Sequence, residues 1–90
     1  MPKFVIERNM PGAGALTPDQ LKAVAKQSCA VLSELGPSIQ WLHSYVTDDR
    51  IYCTYLAPSA DLVRQHAVQA GFPADTVARI RSIIDPTTAE

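Results

Sequence analysis

Apolar residues recur along this chain with two different periods, and each period predicts one kind of element. Between Leu21 and Leu35 they return every three or four residues, which is the spacing of one face of an α-helix. Thr17 is a suitable N-cap for this helix, and Gly36 followed by Pro37 supplies its end. The buried stripe predicted for this first helix consists of Leu21, Val24, Ala25, Ser28, Leu32 and Leu35.

Other apolar positions lie in short runs rich in β-branched and aromatic residues, which are typical of strands. Residues 3–8, 39–47 and 50–57 form three such runs. Asp48 and Asp49 separate the last two runs and tolerate the backbone conformations of a tight turn. These two runs are therefore predicted to form a β-hairpin.

A second helix and a fourth strand complete the predicted order. Ser59 can cap a helix that runs through about Ala70, and Gly71 can end it. Residues 77–84 fit strand and helix almost equally, and we assign a strand because a three-stranded sheet would leave one helix poorly covered. The order β-α-β-β-α-β predicts one domain, residues 1–90, with a ferredoxin-like α+β fold. In this fold a four-stranded antiparallel sheet carries both helices on one face.

The other face of the sheet is left open, and the hairpin is expected to place aromatic side chains on it. A two-residue turn pairs His43 with Thr54 and Trp41 with Leu56, and such partners share a face. The apolar area exposed there, several hundred square ångströms, is at or above what monomers usually tolerate, so we expect a homodimer formed through this open face. The residues predicted there are Trp41, His43, Tyr45 and Tyr52, whereas Leu42, Ser44, Val46, Ile51, Cys53 and Tyr55 are predicted to lie under the helices.

Composition and charge exclude several classes of function. The chain is 47% hydrophobic and 19% charged with a net charge of −1, which suits a folded protein and gives little support for nucleic-acid binding. No apolar run approaches the roughly 20 residues of a membrane span, and the first ten residues lack the features of a signal peptide, so we expect a cytoplasmic protein. Cys29 and Cys53 form no CxxC pair and are expected to be buried thiols.

Several segments together resemble a family of small bacterial proteins. They are "GA" and "LT" before the first helix, then "IQWLHSYVTDDRIYCTYLAP", "HAVQAGFPAD" and "IDP". The family was formerly labelled a domain of unknown function and is described as nickel-binding, and the similarity spans nearly the whole chain. The resemblance implies a ferredoxin-like homodimer that binds nickel or another divalent transition metal. It supplies no ligand motif, so candidate ligands are sought among the residues themselves.

Two candidate ligands lie on the second predicted strand. His43 is expected on the open face, where a neutral imidazole would bind an ion of the nickel, cobalt and zinc group. The alternative is a packing histidine, which is the commoner role in strands. Tyr45 offers a phenol oxygen on the same face, and it would suit a dimer interface equally well.

The other two candidates are Glu7 and His66. A carboxylate against a sheet needs a cation, so Glu7 is expected to bind the metal or to pair with Arg8, Arg79 or Arg81. His66 follows Leu62 by one helical turn and faces the core, where a hydrogen-bonded core histidine is the simpler interpretation. From that position it would reach Cys53 or Ser44 if the second helix lies over the second and third strands.

Two functions from different classes follow from these residues. The first is a dimeric metal-binding protein, for nickel or a similar ion, that serves in sequestration or sensing. The alternative is a dimeric α/β-barrel cavity enzyme, similar to small monooxygenases, in which His43 and Trp41 line a pocket for a small hydrophobic substrate. No residues form a nucleophile, base and carboxylate set, so no catalytic residue is assigned.

Overall fold

The computed structural model describes residues 1–90 and contains the predicted order of elements. The four strands form one antiparallel sheet in the order β2-β3-β1-β4, which with the two helices is the ferredoxin-like α+β fold, as predicted. Neither helix has the combination of length and hydropathy that a lipid bilayer requires of a crossing segment. The elements are β1 (Lys3–Asn9), α1 (Pro18–Leu35), β2 (Gln40–Val46), β3 (Arg50–Leu56), α2 (Ala60–Ala70) and β4 (Thr76–Ile80), with short 3-10 turns at Ala13–Ala15 and Pro86–Ala89.

Local sequence sets both ends of α1. The Thr17 side chain accepts a hydrogen bond from the backbone N–H of Gln20, and the Gln20 side chain accepts one from the N–H of Thr17. This capping box satisfies two donors that a helix start leaves free. At the other end Gly36 has a φ of 87°, and its N–H donates to the Leu32 carbonyl. The predicted start and end signals are both confirmed.

The core lies between the sheet and the helices. Alternate residues of β1 and β3 point into it, while the residues between them face the open side. From the helices, Val63 of α2 is fully buried against these strands. The main apolar cluster consists of Phe4, Ile6, Ala13, Ile39, Ile51, Cys53, Tyr55, Ala57 and Val63.

The buried stripe of α1 differs from the predicted one. Of the predicted positions only Ser28 is buried, whereas Leu21 is 37% exposed and Val31, which was not predicted, is buried. The first half of α1 lies over a cavity and does not pack fully on the sheet. The prediction that both cysteines are buried is right for Cys53 and wrong for Cys29, which is exposed on α1.

An additional residue in β2 changes the hairpin register. His43 lies opposite Thr54, as predicted, but Trp41 lies opposite Tyr55 because a β-bulge falls between Trp41 and His43. One inserted residue moves the side chains beyond it to the opposite face of the sheet. Trp41 therefore lies on the helix-covered face, and the prediction that it belongs to the open face is wrong. Leu42, predicted to be covered by helices, is 41% exposed at the bulge.

Strand β4 is shorter than predicted. It ends at Ile80, which pairs with Lys3, the first residue of β1. Beyond this point β1 offers no further partner, and the carbonyl of Pro2 accepts its hydrogen bond from Ala57 on the opposite side. The following apolar residues, Ile83 and Ile84, are 69% and 78% exposed.

The glycine-rich segment after β1 packs against the hairpin turn. The N–H of Gly14 donates to the Asp48 carbonyl, and the N–H of Gly12 donates to the Asp49 side chain. A Cβ atom at Gly14 would lie 2.9 Å from the Asp48 Cα, closer than such atoms approach in proteins. The predicted turn role of Asp48 and Asp49 therefore extends to a direct contact between two loops.

Candidate functional site

Three of the four candidate ligands lie on the open sheet face. Glu7 of β1 is opposite Tyr52 of β3, and Tyr52 is in turn opposite Tyr45 of β2, so these residues form a row across the sheet. His43 lies two residues from Tyr45, and their rings meet edge to face with centroids 5.0 Å apart. Both side chains are exposed, Tyr45 to 62%. The face thus presents one imidazole, one carboxylate and two phenols to solvent or to another molecule.

Glu7 is held by a cation, although not by one of those predicted. An Oε1 atom of Glu7 lies 2.7 Å from a guanidinium nitrogen of Arg50 on the neighbouring strand. The predicted partners Arg8 and Arg79 lie on the helix-covered face, because side chains alternate along β1 and β4. The carboxylate therefore remains on the open face, in a half-exposed ion pair.

The open-face candidates do not form a compact ligand set within one chain. Strand β3 lies between Glu7 and His43, and neighbouring strands are about 4.8 Å apart, so about 10 Å separates their backbones across the sheet. No group of three or more His, Cys, Asp and Glu side chains in the chain is arranged to hold a metal ion. A complete nickel shell on this face would need ligands from outside the chain.

His66 lies on the other side of the sheet from these three residues. It is fully buried in α2, its Nε2 atom is 3.2 Å from the Ser28 hydroxyl oxygen of α1, and its ring packs edge to face on Tyr55. Its Nδ1 atom has no hydrogen-bond partner. Burial, together with the nearby charge of Arg8, lowers the pKa of His66 from 6.5 to about 4, so the imidazole is neutral at pH 7. The expected contact with Cys53 or Ser44 is replaced by the contact with Ser28.

Arg8 is a buried cation that sequence reasoning considered only as a partner for Glu7. Its residue is 2% exposed, and its guanidinium donates to the Pro73 carbonyl at 2.5 Å, to the Tyr55 hydroxyl at 3.3 Å and to the Cys53 sulfur at 3.5 Å. It also lies 5.6 Å from the centre of the Phe72 ring. The sequence feature that indicates its burial is the alternation along β1, which places Arg8 on the same face as Phe4 and Ile6.

A cavity of about 200 Å³ lies beside Arg8, between the first half of α1 and the sheet. Trp41 lines this cavity, whereas His43 faces the opposite side of the sheet. The two residues that the cavity-enzyme hypothesis placed in one pocket are thus separated by the sheet itself. The lining residues are Arg8, Met10, Leu21, Val24, Ala25, Ser28, Trp41, Ser44, Val46, Ile51, Cys53, Tyr55 and Phe72.

Comparisons with known proteins agree with this fold. The family model described as nickel responsive protein SCO4226-like matches residues 4–80. The crystal structure of SCO4226 from Streptomyces coelicolor A3(2) is similar to the chain, with a TM-score of 0.76 and 24% identity over 91% of this chain and 99% of that chain. A comparison with functionally curated proteins found no match. The structural likeness bears on the fold alone, whereas the family model covers most of the sequence. The chain therefore belongs to the SCO4226-like family of nickel-responsive proteins.

Proposed function

We propose that this protein binds nickel, or a similar divalent ion, as a homodimer formed through the open sheet face, and that it serves in nickel sequestration or sensing. The observation that carries the proposal is the exposed His43 imidazole beside Tyr45 on a sheet face that no helix covers. Membership in a nickel-responsive family supports the choice of metal. Imidazole nitrogen is a preferred ligand for nickel among the protein donors.

A second copy of the chain would supply the ligands that one chain lacks. In a two-fold symmetric dimer the same patch of each subunit meets its counterpart, so every donor on the open face is present twice. Two His43 imidazoles, with oxygen donors from Tyr45, Glu7 or water, would then surround the ion. Dimerisation would also cover Tyr45, which is 62% exposed in the single chain. The proposal thus joins metal binding and dimerisation in one surface.

Calorimetric titration of the metal-free protein with nickel tests the site. His43→Ala should weaken nickel binding at least about tenfold, which corresponds to about 1.4 kcal/mol or more. The thermal midpoint of the metal-free protein should be nearly unchanged, because this side chain is exposed and contributes little to packing within the chain. Equal affinity for the variant and the wild type would show that His43 is not a ligand.

His66→Gln tests the remaining candidate ligand in the same assay. His66 is fully buried on the opposite side of the sheet, so the nickel affinity of this variant should stay within about twofold of the wild-type value. A large loss for His66→Gln with no loss for His43→Ala would move the metal to the helix-covered side. That result would contradict the proposed open-face site.

A further inference from the structure

The cavity under α1 is an apolar space with one charged group in its wall. Ten of its 13 lining residues are hydrophobic, and the polar ones are Arg8, Ser28 and Ser44. The hydroxyl of Ser44 already accepts a hydrogen bond from the Trp41 indole N–H, at 3.0 Å. The hydroxyl of Ser28 is in contact with His66. Arg8 is therefore the one group in the wall that carries a full charge and could hold an ionic ligand.

The charge of Arg8 is not neutralised by the protein. The chain has two carboxylate–cation ion pairs, Arg50 with Glu7 and Arg64 with Asp61, and neither includes Arg8. The acceptors that it does have, the Pro73 carbonyl, the Tyr55 hydroxyl and the Cys53 sulfur, are dipoles. Burial of a cation without a counter-charge costs several kcal/mol, so an anion beside it would be strongly favoured.

Two titratable neighbours of Arg8, Tyr55 and His66, do not supply that anion. Burial, with the nearby Cys53, raises the pKa of Tyr55 to about 12, so its phenol is protonated at pH 7. His66 is neutral at the same pH. The inner end of the cavity is consequently positive at physiological pH.

The size of the cavity limits the ligand. A closed apolar cavity of about 150 Å³ can hold a benzene molecule. A volume of about 200 Å³ therefore has room for a six-membered ring or a short alkyl chain together with a carboxylate. Leu21 and Val46, which line the cavity, are 37% and 43% exposed and mark its solvent side. This entrance lies on the helix-covered face, so a dimer formed through the open face would leave it free.

We propose that this cavity binds a small organic carboxylate with an apolar body, its carboxylate on the Arg8 guanidinium and its body against Val24, Trp41 and Phe72. An arginine can hold a carboxylate through two parallel hydrogen bonds, which fixes the orientation of the ligand. The apolar wall favours a ligand with an apolar body, because it provides no hydrogen bonds to a small hydrated anion. This site is separate from the nickel site and does not depend on it.

Trp41 is the single tryptophan of the chain and lines the cavity, so its fluorescence reports occupancy. The probe is phenylacetate, titrated into the wild-type protein and compared with phenylacetamide, which has the same shape without the charge. Phenylacetate should change the fluorescence saturably and bind at least about tenfold more tightly than the amide, because a charged hydrogen-bonding partner is lost in the latter. Acetate, which lacks the apolar body, should also bind at least about tenfold more weakly. The proposal would be overturned if phenylacetamide or acetate bound as tightly as phenylacetate, or if phenylacetate gave no saturable change in fluorescence.

Two independent variants locate the site. Arg8→Met keeps an unbranched apolar stem but removes the guanidinium, so it should abolish the preference for phenylacetate over the amide. Ala25→Leu adds bulk to the cavity wall and should weaken phenylacetate binding at least about tenfold, while Ala23→Leu, the same change on the exposed side of α1, should leave it unchanged. Should Arg8→Met not fold, as judged by circular dichroism, the Ala25 and Ala23 pair still decides. Equal affinities in that pair would place the ligand elsewhere.

Discussion

The hydroxyl oxygen of Ser28 lies 3.2 Å from the Nε2 atom of His66, and this contact joins α1 to α2 inside the protein. The same imidazole packs on Tyr55 of the sheet, so His66 of α2 contacts both α1 and the sheet. Its Nδ1 atom has no partner, which makes the protonated form costly because a second N–H would be buried without an acceptor. The histidine therefore contributes to stability only as a neutral ring.

The first prediction is a loss of stability in mild acid. The pKa of His66 is lowered from 6.5 to about 4, so between these values the unfolded chain binds a proton that the folded chain does not. The free energy of unfolding should thus fall as the pH is lowered through this interval, by about 3 kcal/mol in all, and should not change with the titration of His66 above pH 7. Urea unfolding at pH 7, 5.5 and 4.5 measures it. His66→Gln, which cannot titrate, should show a shallower decline, and an unchanged decline would contradict the assignment.

The second prediction concerns the contact between Gly14 and Asp48. Gly14→Ala should lower the free energy of unfolding by about 1–3 kcal/mol, because the added Cβ would lie 2.9 Å from a backbone atom of the hairpin turn. Gly12→Asn is the matched control, since nothing lies within 4 Å of a Cβ there and asparagine tolerates the positive φ. Chemical denaturation of both variants tests the contact. A larger loss for Gly12→Asn than for Gly14→Ala would refute the steric explanation.

The third prediction concerns the oligomeric state. Sedimentation velocity at micromolar concentration should show a dimer for the wild type and mainly a monomer for Tyr45→Glu, because a carboxylate would be buried in the proposed interface. Val68→Glu makes a comparable change at a residue that is 78% exposed on α2, and it should remain dimeric. A wild-type monomer, or equal behaviour of the two variants, would show that the open face is not the interface.

The fourth prediction concerns the packing of α1. Leu32 is half-buried against the main apolar cluster, so Leu32→Ala should lower the free energy of unfolding by about 2 kcal/mol, the lower end of the usual range. Val68→Ala, at an exposed position of α2, should change it by less than about 0.5 kcal/mol. Denaturant titration compares the two. A negligible loss for Leu32→Ala would mean that this part of α1 does not pack on the core.

The sequence was sufficient for the order of elements because each helix carries its own start and end signals. It was sufficient for the hairpin near its turn, where Thr47 and Arg50 close the ladder and His43 meets Thr54. It failed at Trp41, since a β-bulge depends on packing beyond the hairpin and leaves no distinct local pattern. The position of a bulge decides which face a side chain takes. The residue inserted between Trp41 and His43 therefore moved Trp41 from the predicted open face to the helix-covered face.

Arg8 shows a different limit. The alternation of β1 predicts that it faces the core with Phe4 and Ile6, but a charged side chain is seldom assigned to a core without an evident partner. Its actual partners, the Pro73 carbonyl and the Tyr55 hydroxyl, lie 65 and 47 residues away in sequence. Contacts over such separations follow from tertiary structure, and so the cavity beside Arg8 could not be predicted from local pattern.

The exposure of Cys29, set against the burial of Cys53, gives this protein a single thiol that reagents in solution can reach. A nitroxide attached there would mark the outer layer of each subunit without disturbing either face of the sheet. In a dimer with its two sheets facing each other about 10 Å apart, and a helical layer about 10 Å thick outside each, the two labels would be about 30 Å or more apart. Pulsed electron paramagnetic resonance measures distances in this range, so a label on the wild-type Cys29 can test how the two subunits are arranged.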